Sequence, residues 1–286
     1  MSGSSAEALK EESASYPSSR PFVKWVGGKS QLLPELVKRI PENFTTYYEP
    51  FLGGGALFFA LRPSHAVLSD DNEELINAFG VVQQDVDHLI KELKKHRYEQ
   101  EYFYSVRDAD RHPSFKRWSP VRRASRLIFL NKTCYNGLYR VNALGQFNTP
   151  FGRYTNPTIV DESNLRACHA ALQGASLQCL SFTDIEKTIT PNDFVYFDPP
   201  YIPLSATASF TGYSSDGFKE SMQRELAALC GRLNSKGVRF MLSNSSAPLV
   251  SDLYKNFKIE HVAAARSINS KGNRRGSVNE VIVTNY

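Results

Sequence analysis

Short strand-like runs alternate with helix-like segments along most of this chain. The segment at residues 219–235, for example, carries apolar side chains at the three- to four-residue spacing of an amphipathic helix. Strands that alternate with helices of this length predict an α/β protein, here a Rossmann-like mixed sheet of about seven strands with helices on both faces. The last two runs are joined by a short glycine-containing connection, which predicts an antiparallel edge. The strand-like runs are residues 47–51, 66–70, 176–182, 193–198, 238–244, 258–264 and 279–286.

Residues 72–132 interrupt this alternation, because their apolar side chains follow helical periodicity only. They predict a helical domain inserted into the α/β domain. Residues 131–154 follow with three X-Gly turn signals and short β-rich pieces between them, which predicts a small hairpin. The predicted organisation is a tail at residues 1–20, two parts of the α/β domain at residues 21–72 and 155–286, and the insertion with its hairpin at residues 73–154.

Positive charge is concentrated in this insertion. Between Arg107 and Arg153 there are ten lysines and arginines and two acids, a local balance of +8 in a chain whose net charge is +5. A basic block on a slightly acidic body is the electrostatic pattern of a protein that binds a polyanion such as nucleic acid. A solvated helix face is the alternative interpretation.

Several other classes of protein are disfavoured. No run approaches the roughly 18 apolar residues of a membrane span. Residues 1–20 are rich in Ser, Glu and Ala without an apolar centre, which indicates a disordered tail or an expression remnant rather than a signal peptide. The four cysteines lack C-x-x-C spacing, which favours reduced thiols in a cytoplasmic protein. The six histidines are scattered, so no metal site is predicted.

Residues 51–55, FLGGG, lie between a predicted strand and a predicted helix. Successive glycines let a backbone approach a ligand closely, and the helix N-terminus offers free N–H groups, although a structural turn is equally consistent. Two phosphate-binding motifs are absent. G-x-G-x-x-G requires glycine where Phe58 stands, and a Walker A motif ending at residues 28–30 requires glycine where Val23 stands.

Asp70 ends the next predicted strand, 17 residues after Gly53. An acid at this point of a nucleoside-binding sheet accepts hydrogen bonds from ribose hydroxyls, so we predict a site for a nucleoside without a pyrophosphate. Asp71 and Asn72 follow directly, and either is a candidate N-cap for a helix at residues 73–79.

The run DFVYFDPPY ends in a carboxylate, two prolines and a phenol ring at residues 198–201. Each proline lacks an N–H group and has a fixed φ, so the strand cannot continue, and the residue before a proline is held extended. Asp198 and Tyr201 are therefore presented together in a rigid arrangement. A turn that only ends a strand is the alternative.

Five stretches of the chain together resemble the Dam-type DNA adenine methyltransferases. They occur in the order typical of the group whose recognition domain lies between the cofactor loop and the catalytic tetrapeptide, and the resemblance extends from Pro21 to the C-terminus. The segment YNGLYR…GQFNTPFGRY at residues 135–154 resembles the recognition hairpin of enzymes that methylate GATC. The five stretches are FVKWVGGK at residues 22–29, FLGGG at 51–55, Asp70, DPPY at 198–201 and SATASFTGY at 205–213.

This resemblance implies that residues 21–72 and 155–286 form a catalytic domain that binds S-adenosylmethionine and releases S-adenosylhomocysteine, with residues 73–154 as the target recognition domain. Asp70 would contact the ribose and Phe182 the adenine of the cofactor, although Phe182 fits a core position equally well. The cofactor contacts implied are Trp25, Lys29, Phe51, Gly53, Gly55, Asp70, Phe182 and Asp198.

The catalytic residues implied are Asp198, Pro199, Pro200 and Tyr201. The amino lone pair of adenine is delocalised into the ring. Two rigid acceptors, the Asp198 carboxylate and the Pro199 carbonyl, would favour a pyramidal nitrogen and stabilise its developing positive charge. The methyl group is then displaced in line, while Tyr201 stacks on the base. The base must leave the duplex to reach this site, so base flipping is implied.

The partner implied is double-stranded DNA, bound by a protein that is monomeric in solution and able to load more than one copy on a DNA. Arg140 has the length and the forked shape to read a guanine edge. The other contacts implied are Leu138 and Pro150 at a thymine methyl, Lys24 and Tyr154 at the outer guanine, Tyr135 and Asn136 in the space left by the flipped base, and Arg122, Arg123, Arg126, Asn142 and Arg153 at phosphates.

Two other functions stay open at this point. A methyltransferase acting on a glutamine side chain also suits a D-P-P-Y site, and the basic insertion and the hairpin argue against it. A DNA-binding module that has kept a methyltransferase fold without activity is the second, and the intact tetrapeptide at residues 198–201 argues against it.

Overall fold

A seven-stranded sheet runs through the protein in the computed structural model, which describes residues 19–29, 31–203, 218–264 and 278–286. In chain order the strands are β1 (Tyr47–Glu49), β2 (Ala66–Asp70), β3 (Ala175–Cys179), β4 (Phe194–Phe197), β5 (Arg239–Ser245), β6 (Lys258–Ala264) and β7 (Val278–Thr284). Their order across the sheet is β3-β2-β1-β4-β5-β7-β6. The first five strands pair in parallel, whereas β7 is antiparallel to both β5 and β6. The predicted mixed sheet with an antiparallel edge is confirmed.

Alternate residues of the central strands enter two cores, one on each face of the sheet. In β4, Phe194 and Tyr196 belong to the first core, while Val195 and Phe197 belong to the second. This two-residue alternation follows from strand geometry, so helices are needed on both faces, as predicted. The described α-helices are α1 (Leu33–Val37), α2 (Ala56–Leu61), α3 (Glu73–Gln84), α4 (Val86–Leu93), α5 (Gln100–Asp108), α6 (Pro120–Thr133), α7 (Glu162–Ala171), α8 (Glu220–Ser235) and α9 (Pro248–Leu253).

Helices α3 to α6 form the predicted helical insertion. Helix α3 runs to Gln84, beyond the predicted end at residue 79. The inner faces of α3 and α6 share the first sheet core, so the insertion packs directly on the sheet. Phe103 of α5, Phe129 of α6 and Phe147 of the hairpin segment meet in a third, smaller core. The domain boundaries stay predictions.

The predicted hairpin is present, but its two strands pair only at isolated bridges. At its tip, the Asn142 side-chain oxygen accepts hydrogen bonds from the backbone N–H groups of Leu144 and Gln146. A side-chain amide thus replaces part of the strand ladder. The predicted contact of Asn142 with phosphate would use the amide nitrogen, which donates to the Gln146 side-chain oxygen at 3.0 Å, and it stays a prediction. The antiparallel bridges are Cys134–Phe151 and Val141–Phe147.

Two predicted segments lie outside the described residues, namely residues 1–18 of the tail and the motif SATASFTGY at residues 205–213. Within the described part of the chain, no helix combines the length and the apolar composition needed to cross a membrane. All four cysteines are free thiols, and only Cys179 is exposed.

Candidate active site

The carboxyl ends of the parallel strands bring several predicted residues to one edge of the sheet. Asp70 is the last residue of β2, and Asp198 directly follows β4. Because β7 is antiparallel to β5, its beginning lies at this same edge, where Glu280 pairs with Ser245. Open α/β sheets bind ligands at this edge, which makes it the candidate active site.

Asp198 is the centre of a polar cluster at this edge. Its Oδ1 lies 2.6 Å from Nζ of Lys29 and accepts a 3.0 Å hydrogen bond from the Ser243 hydroxyl. The Lys29 ammonium also donates to the Gly27 carbonyl at 2.6 Å and lies 4.4 Å from the centre of the Tyr201 ring. Lys29 is only 6% exposed, and its ammonium contacts both Asp198 and Tyr201. Its predicted contact with the cofactor stays a prediction.

Burial governs the charges around Asp198. It raises the pKa of Asp198 above the usual value, while the Lys29 ammonium and the Ser243 hydroxyl act in the opposite direction. Burial also raises the pKa of Glu49, at the end of β1, to about 8, although the Tyr47 hydroxyl donates to its carboxyl group. Glu49 is therefore largely protonated near neutral pH and adds little negative charge beside Asp198.

Helix α8 and strand β7 hold the D-P-P-Y tetrapeptide in place. The Gln223 side chain of α8 donates to the Pro200 carbonyl at 2.7 Å. The Tyr201 hydroxyl donates to the Glu280 carboxylate at 2.9 Å. By contrast, no donor among the described residues satisfies the Pro199 carbonyl. As far as the described residues go, that carbonyl can accept a hydrogen bond from a substrate.

The glycine loop is tied to the end of β2. The Gly53 N–H group donates to Oδ2 of Asp70 at 3.0 Å, and the φ of Gly53 is 47°, in the left-handed region that favours glycine. A Cβ atom at Gly53 would lie 2.7 Å from Cδ1 of Trp25, so a side chain would collide with the indole ring. Burial raises the pKa of Asp70 to about 6. Trp25, Gly53 and Asp70 thus form one contiguous surface.

Asn72 is the N-cap of α3. Its side-chain oxygen accepts a hydrogen bond from the Leu75 N–H group at 3.0 Å, and its own N–H group donates to Oδ1 of Asp70. Of the two candidate caps, the structure selects Asn72, while Asp71 is exposed to solvent.

The aromatic residues predicted to contact the cofactor are partly in the core. Phe51 and Phe182 stack with ring centres 5.3 Å apart, and Phe182 is buried in the second sheet core. This burial agrees with the core interpretation of Phe182, and its contact with the cofactor stays a prediction. Gly55, with a φ of 67°, caps the start of α2. Trp25 stacks on Tyr139 of the hairpin segment at 5.3 Å and so connects the two regions.

Asn131, near the end of α6, brings the predicted recognition residues together. It accepts a hydrogen bond from the Lys24 N–H group at 2.7 Å and donates to the carbonyls of Lys24 and Gly137 at 2.7 and 2.9 Å. The Lys24 ammonium lies 4.5 Å from the centre of the Tyr154 ring. Tyr135, predicted to fill the space of a flipped base, is 54% exposed in the adjoining turn.

The hairpin presents Arg140 to solvent. Its Nε donates to the side-chain oxygen of Asn148 at 2.7 Å, and its Nη1 has no partner among the described residues. The Thr149 hydroxyl donates to the Leu138 carbonyl at 2.8 Å, which joins Leu138 to the segment that continues into Pro150. In the preceding turn, Asn136 is exposed and has a φ of 54°.

Residues 25–268 match the family of D12 class N6 adenine-specific DNA methyltransferases. The chain belongs to this family. It is 46% identical to the type II methyltransferase M1.LlaDCHI of Lactococcus lactis subsp. cremoris, over 93% of this chain and 95% of that protein. The type II methyltransferase M.MjaIII of Methanocaldococcus jannaschii is 41% identical over 93% of this chain and 99% of its own length. The DNA adenine methylase of Escherichia coli (strain K12) is 34% identical over 92% of this chain and 94% of its own length.

As a D12 class methyltransferase, the protein is an adenine-specific DNA methyltransferase, which confirms the predicted enzyme class. The family implies S-adenosylmethionine as the methyl donor and DNA as the substrate. The two alternatives, a glutamine-amide methyltransferase and a silent DNA-binding module, lose their support. Within the described part of the chain, no group of three or more His, Cys, Asp or Glu side chains is arranged to hold a metal ion. A metal-free reaction stays a prediction.

The basic block of this D12 methyltransferase contains both free and engaged arginines. Arg153 is exposed and has no partner among the described residues. Arg122 is exposed, and its guanidinium lies 3.5 Å from the centre of the Trp118 ring. Arg123 instead pairs with two glutamates of α3, at 2.9 and 2.5 Å. A phosphate contact stays the prediction for all three, and at Arg123 it would compete with these ion pairs.

The prediction that Arg126 contacts phosphate is wrong. Its side chain is 6% exposed, forms an ion pair with Asp110 at 2.7 Å, and donates to the carbonyls of Val106 and Arg107. A guanidinium buried in this network cannot reach a phosphate. Asp110 also accepts a hydrogen bond from the Phe147 N–H group at 2.8 Å, so the pair fastens the hairpin to the helical insertion.

Sequence reasoning missed the side chains that hold the catalytic residues. These supporting residues lie in segments that the sequence correctly predicts as strands or as a helix. Their partners depend on the order of strands in the sheet, which local sequence patterns do not encode. Attention to polar residues near the carboxyl ends of predicted strands would have found some of them. The missed residues are Ser243, Gln223, Glu280 and, in the recognition region, Asn131.

Proposed function

We propose that this enzyme methylates N6 of adenine in GATC sites of duplex DNA, after the target base has flipped out of the helix. The observation that carries the proposal is the meeting of Asp198, Tyr201 and the unsatisfied Pro199 carbonyl at the carboxyl edge of the sheet. The support for GATC is the resemblance of residues 135–154 to a GATC recognition hairpin, together with the exposure of Arg140 on that hairpin.

Asp198 and Pro199 act on the target amino group. Oδ1 of Asp198 is engaged by Lys29 and Ser243, which leaves Oδ2 to accept one amino hydrogen, while the Pro199 carbonyl accepts the other. Rigid acceptors on both hydrogens make the nitrogen a better nucleophile and stabilise its developing positive charge. Bound S-adenosylmethionine supplies the electrophilic methyl group. The proton that the methylated nitrogen loses passes to Oδ2 of Asp198 and then to water.

Tyr201 binds the face of the flipped base. Its ring face already holds the Lys29 ammonium at 4.4 Å, and a ring face that attracts a cation also favours positive charge at N6. The hydrogen bond from the Tyr201 hydroxyl to Glu280 keeps the ring in place as the base enters.

The residues around Gly53 and Asp70 fit the adenosyl part of S-adenosylmethionine. Each carboxylate oxygen of Asp70 uses one lone pair, on the N–H groups of Gly53 and Asn72, and keeps another for a ribose hydroxyl. The proposed contacts of Trp25, Phe51 and Phe182 would surround the adenine and the ribose with aromatic side chains.

Replacing Asp70 by alanine is expected to weaken binding of S-adenosylmethionine by at least about tenfold, because hydrogen bonds to a charged acceptor contribute roughly 1.5–3 kcal/mol. Affinity of the unmodified enzyme should also fall as the pH drops through the pKa of Asp70, about 6, since protonation removes the charged acceptor. Titration calorimetry at several pH values measures both effects. Asp71→Ala is the matched control for affinity, because it removes an exposed neighbouring acid and keeps Asp70; since Asp71 contributes to the raised pKa of Asp70, the fall in affinity should move to lower pH in this variant. Unchanged affinity of the Asp70 variant would contradict a ribose contact.

Arg140→Ala is expected to reduce the preference for GATC over sites altered at an outer base pair, because a bidentate contact with guanine contributes roughly 1–3 kcal/mol of discrimination. Arg153→Ala, the matched control, removes an exposed arginine proposed to contact phosphate. It should weaken binding to all duplexes alike and reduce the salt slope by about one unit. The measurement is kcat/KM on GATC and on each altered site at several salt concentrations. If Arg140→Ala lowers kcat/KM by the same factor on GATC and on every altered site, the roles of Arg140 and Arg153 are wrongly assigned.

Sequencing with detection of modified bases, on DNA from cells that express the enzyme, tests the proposed site directly. Methylated adenine in GATC is expected, and methylation confined to another motif would refute GATC while leaving the family assignment intact. We also propose that the enzyme is a monomer in solution and that more than one copy can load on a DNA. Sedimentation with and without a duplex distinguishes these states.

A further inference from the structure

Two buried hydroxyl groups lie behind the Asp198 carboxylate. The Ser243 hydroxyl of β5 donates to Oδ1 of Asp198 at 3.0 Å, and the Tyr196 hydroxyl of β4 lies 2.9 Å from Oγ of Ser243. Both side chains are fully buried. Ser243 has a single hydroxyl proton, which it donates to Asp198, so Tyr196 must be the donor to Ser243. The hydrogen bonds therefore run in one direction, from Tyr196 through Ser243 to Asp198.

We infer that Ser243, supported by Tyr196, is a positioning residue for methyl transfer, because it fixes the Asp198 carboxylate with Oδ2 free for the amino group. The inference rests on the proposed role of Asp198. Strands β4 and β5 are parallel neighbours in which Phe197 pairs with Leu242, so the next residues along the two strands are Asp198 and Ser243. The register of the sheet itself thus sets the contact.

Ser243 differs from Lys29, the other donor to Oδ1, in how firmly it is held. Lys29 reaches Asp198 from a loop through a long side chain with several rotatable bonds, and its ammonium also contacts the Gly27 carbonyl and the Tyr201 ring. Ser243 has a short side chain on a central strand and receives a second hydrogen bond from Tyr196. Ser243 is therefore the donor that keeps Asp198 oriented throughout the reaction.

Loss of the Ser243 hydroxyl also changes the ionisation of Asp198. A hydrogen bond to the charged form favours that form, so its removal raises the pKa of Asp198 further. The active, ionised carboxylate then forms only at higher pH. A Ser243→Ala variant keeps the other charged or titratable groups that face Asp198, while Tyr196 and Tyr201 lose their contact with the Ser243 hydroxyl. These groups are Lys29, Tyr47, Glu49, Tyr196, Tyr201 and Glu280.

The test is the single-turnover rate of adenine methylation as a function of pH for Ser243→Ala and Tyr196→Phe. Ser243→Ala should be slower by about tenfold or more near neutral pH, because a hydrogen bond to a charged group is lost. The acidic limb of its profile should move to higher pH, and Tyr196→Phe should move it less in the same direction. Ser69→Ala is the matched control, since Ser69 is a buried strand serine whose hydroxyl has no hydrogen-bond partner in the described structure.

Two further variants make the outcome decisive. Ser243→Thr keeps a hydroxyl and should restore the acidic limb toward that of the unmodified enzyme. If Ser243→Ala keeps the normal profile, or lowers the rate equally at every pH, the inference is overturned. Asp198→Ala separates this failure from failure of the proposed function. An active Asp198 variant refutes the role of Asp198 itself, whereas an inactive one beside a normal Ser243→Ala variant refutes only the positioning role.

Discussion

Asp198→Ala should lower the single-turnover rate of adenine methylation by on the order of a hundredfold or more, because it removes a preorganised acceptor at the reacting nitrogen. DNA affinity should change little. Asp198 lies at the carboxyl edge of the sheet, bonded to Lys29 and Ser243, whereas Arg140 and Arg153 are exposed in the recognition segment. We therefore expect the methylation rate and the DNA affinity to depend on different side chains.

The measurement is methyl incorporation from labelled S-adenosylmethionine after rapid mixing, with DNA affinity taken from fluorescence anisotropy. Because Asp198→Ala leaves the buried Lys29 ammonium unpaired, its free energy of unfolding must be measured as well. Asp198→Asn is the control for side-chain shape, since its amide keeps one acceptor oxygen. Its methylation rate should lie between the rates of Asp198→Ala and of the unmodified enzyme. A folded Asp198→Ala variant with a near-normal rate would refute the mechanism.

The strands could be predicted closely because strand periodicity is a local property. Strands β2 and β6 begin and end at the predicted residues. Strand β1 ends at Glu49 rather than at residue 51, since Pro50 has no N–H group to continue the ladder. The antiparallel edge was predicted, but the position of β7 between β5 and β6 was not, because local pattern carries no information on strand order.

The candidate active site likewise contains some residues that local sequence patterns reveal and others that depend on the order of the strands. Asp198 and Asp70 could be proposed from the sequence because a carboxylate at the end of a predicted strand is a local feature, and the structure places both at the ends of strands. The supports of the catalytic residues were not found, because each depends on a neighbouring element far away in the chain. Ser243 contacts Asp198 across 45 residues, and Glu280 contacts Tyr201 across 79. These contacts follow from tertiary structure alone.

Charge counting was informative about the region and unreliable about individual side chains. Ten cations lie between Arg107 and Arg153 in the sequence, yet Arg126 among them is buried. Arg126 lies on the inner side of α6 among apolar neighbours, where only a partner such as Asp110 makes its burial tolerable. Asp110 is 16 residues away in a separate 3₁₀ turn, so helical periodicity gives no sign of the pairing.

Arg126→Met is expected to lower the free energy of unfolding by about 3–5 kcal/mol, because it removes the close, buried partner of Asp110 and leaves only the more distant Arg111, at 3.8 Å, to compensate that charge. The side chains of Arg126 and Asp110 are 6% and 9% exposed. Urea denaturation followed by circular dichroism measures the change. Arg122→Met is the matched control, one turn earlier on α6, where the exposed guanidinium only stacks on Trp118 and its loss should cost about 1 kcal/mol or less.

Adding Asp110→Asn to Arg126→Met should recover part of this loss, since no uncompensated charge then remains buried and the amide oxygen can still accept the Phe147 N–H group. That N–H group belongs to the hairpin that carries Arg140, so Arg126→Met should also reduce the preference for GATC over altered sites. The ratio of kcat/KM values on the two kinds of site measures this second effect. The outcome that contradicts this prediction is an Arg126→Met variant with the stability of Arg122→Met and an unchanged ratio of kcat/KM values. In that case the buried pair does not hold the hairpin, and other contacts position Arg140.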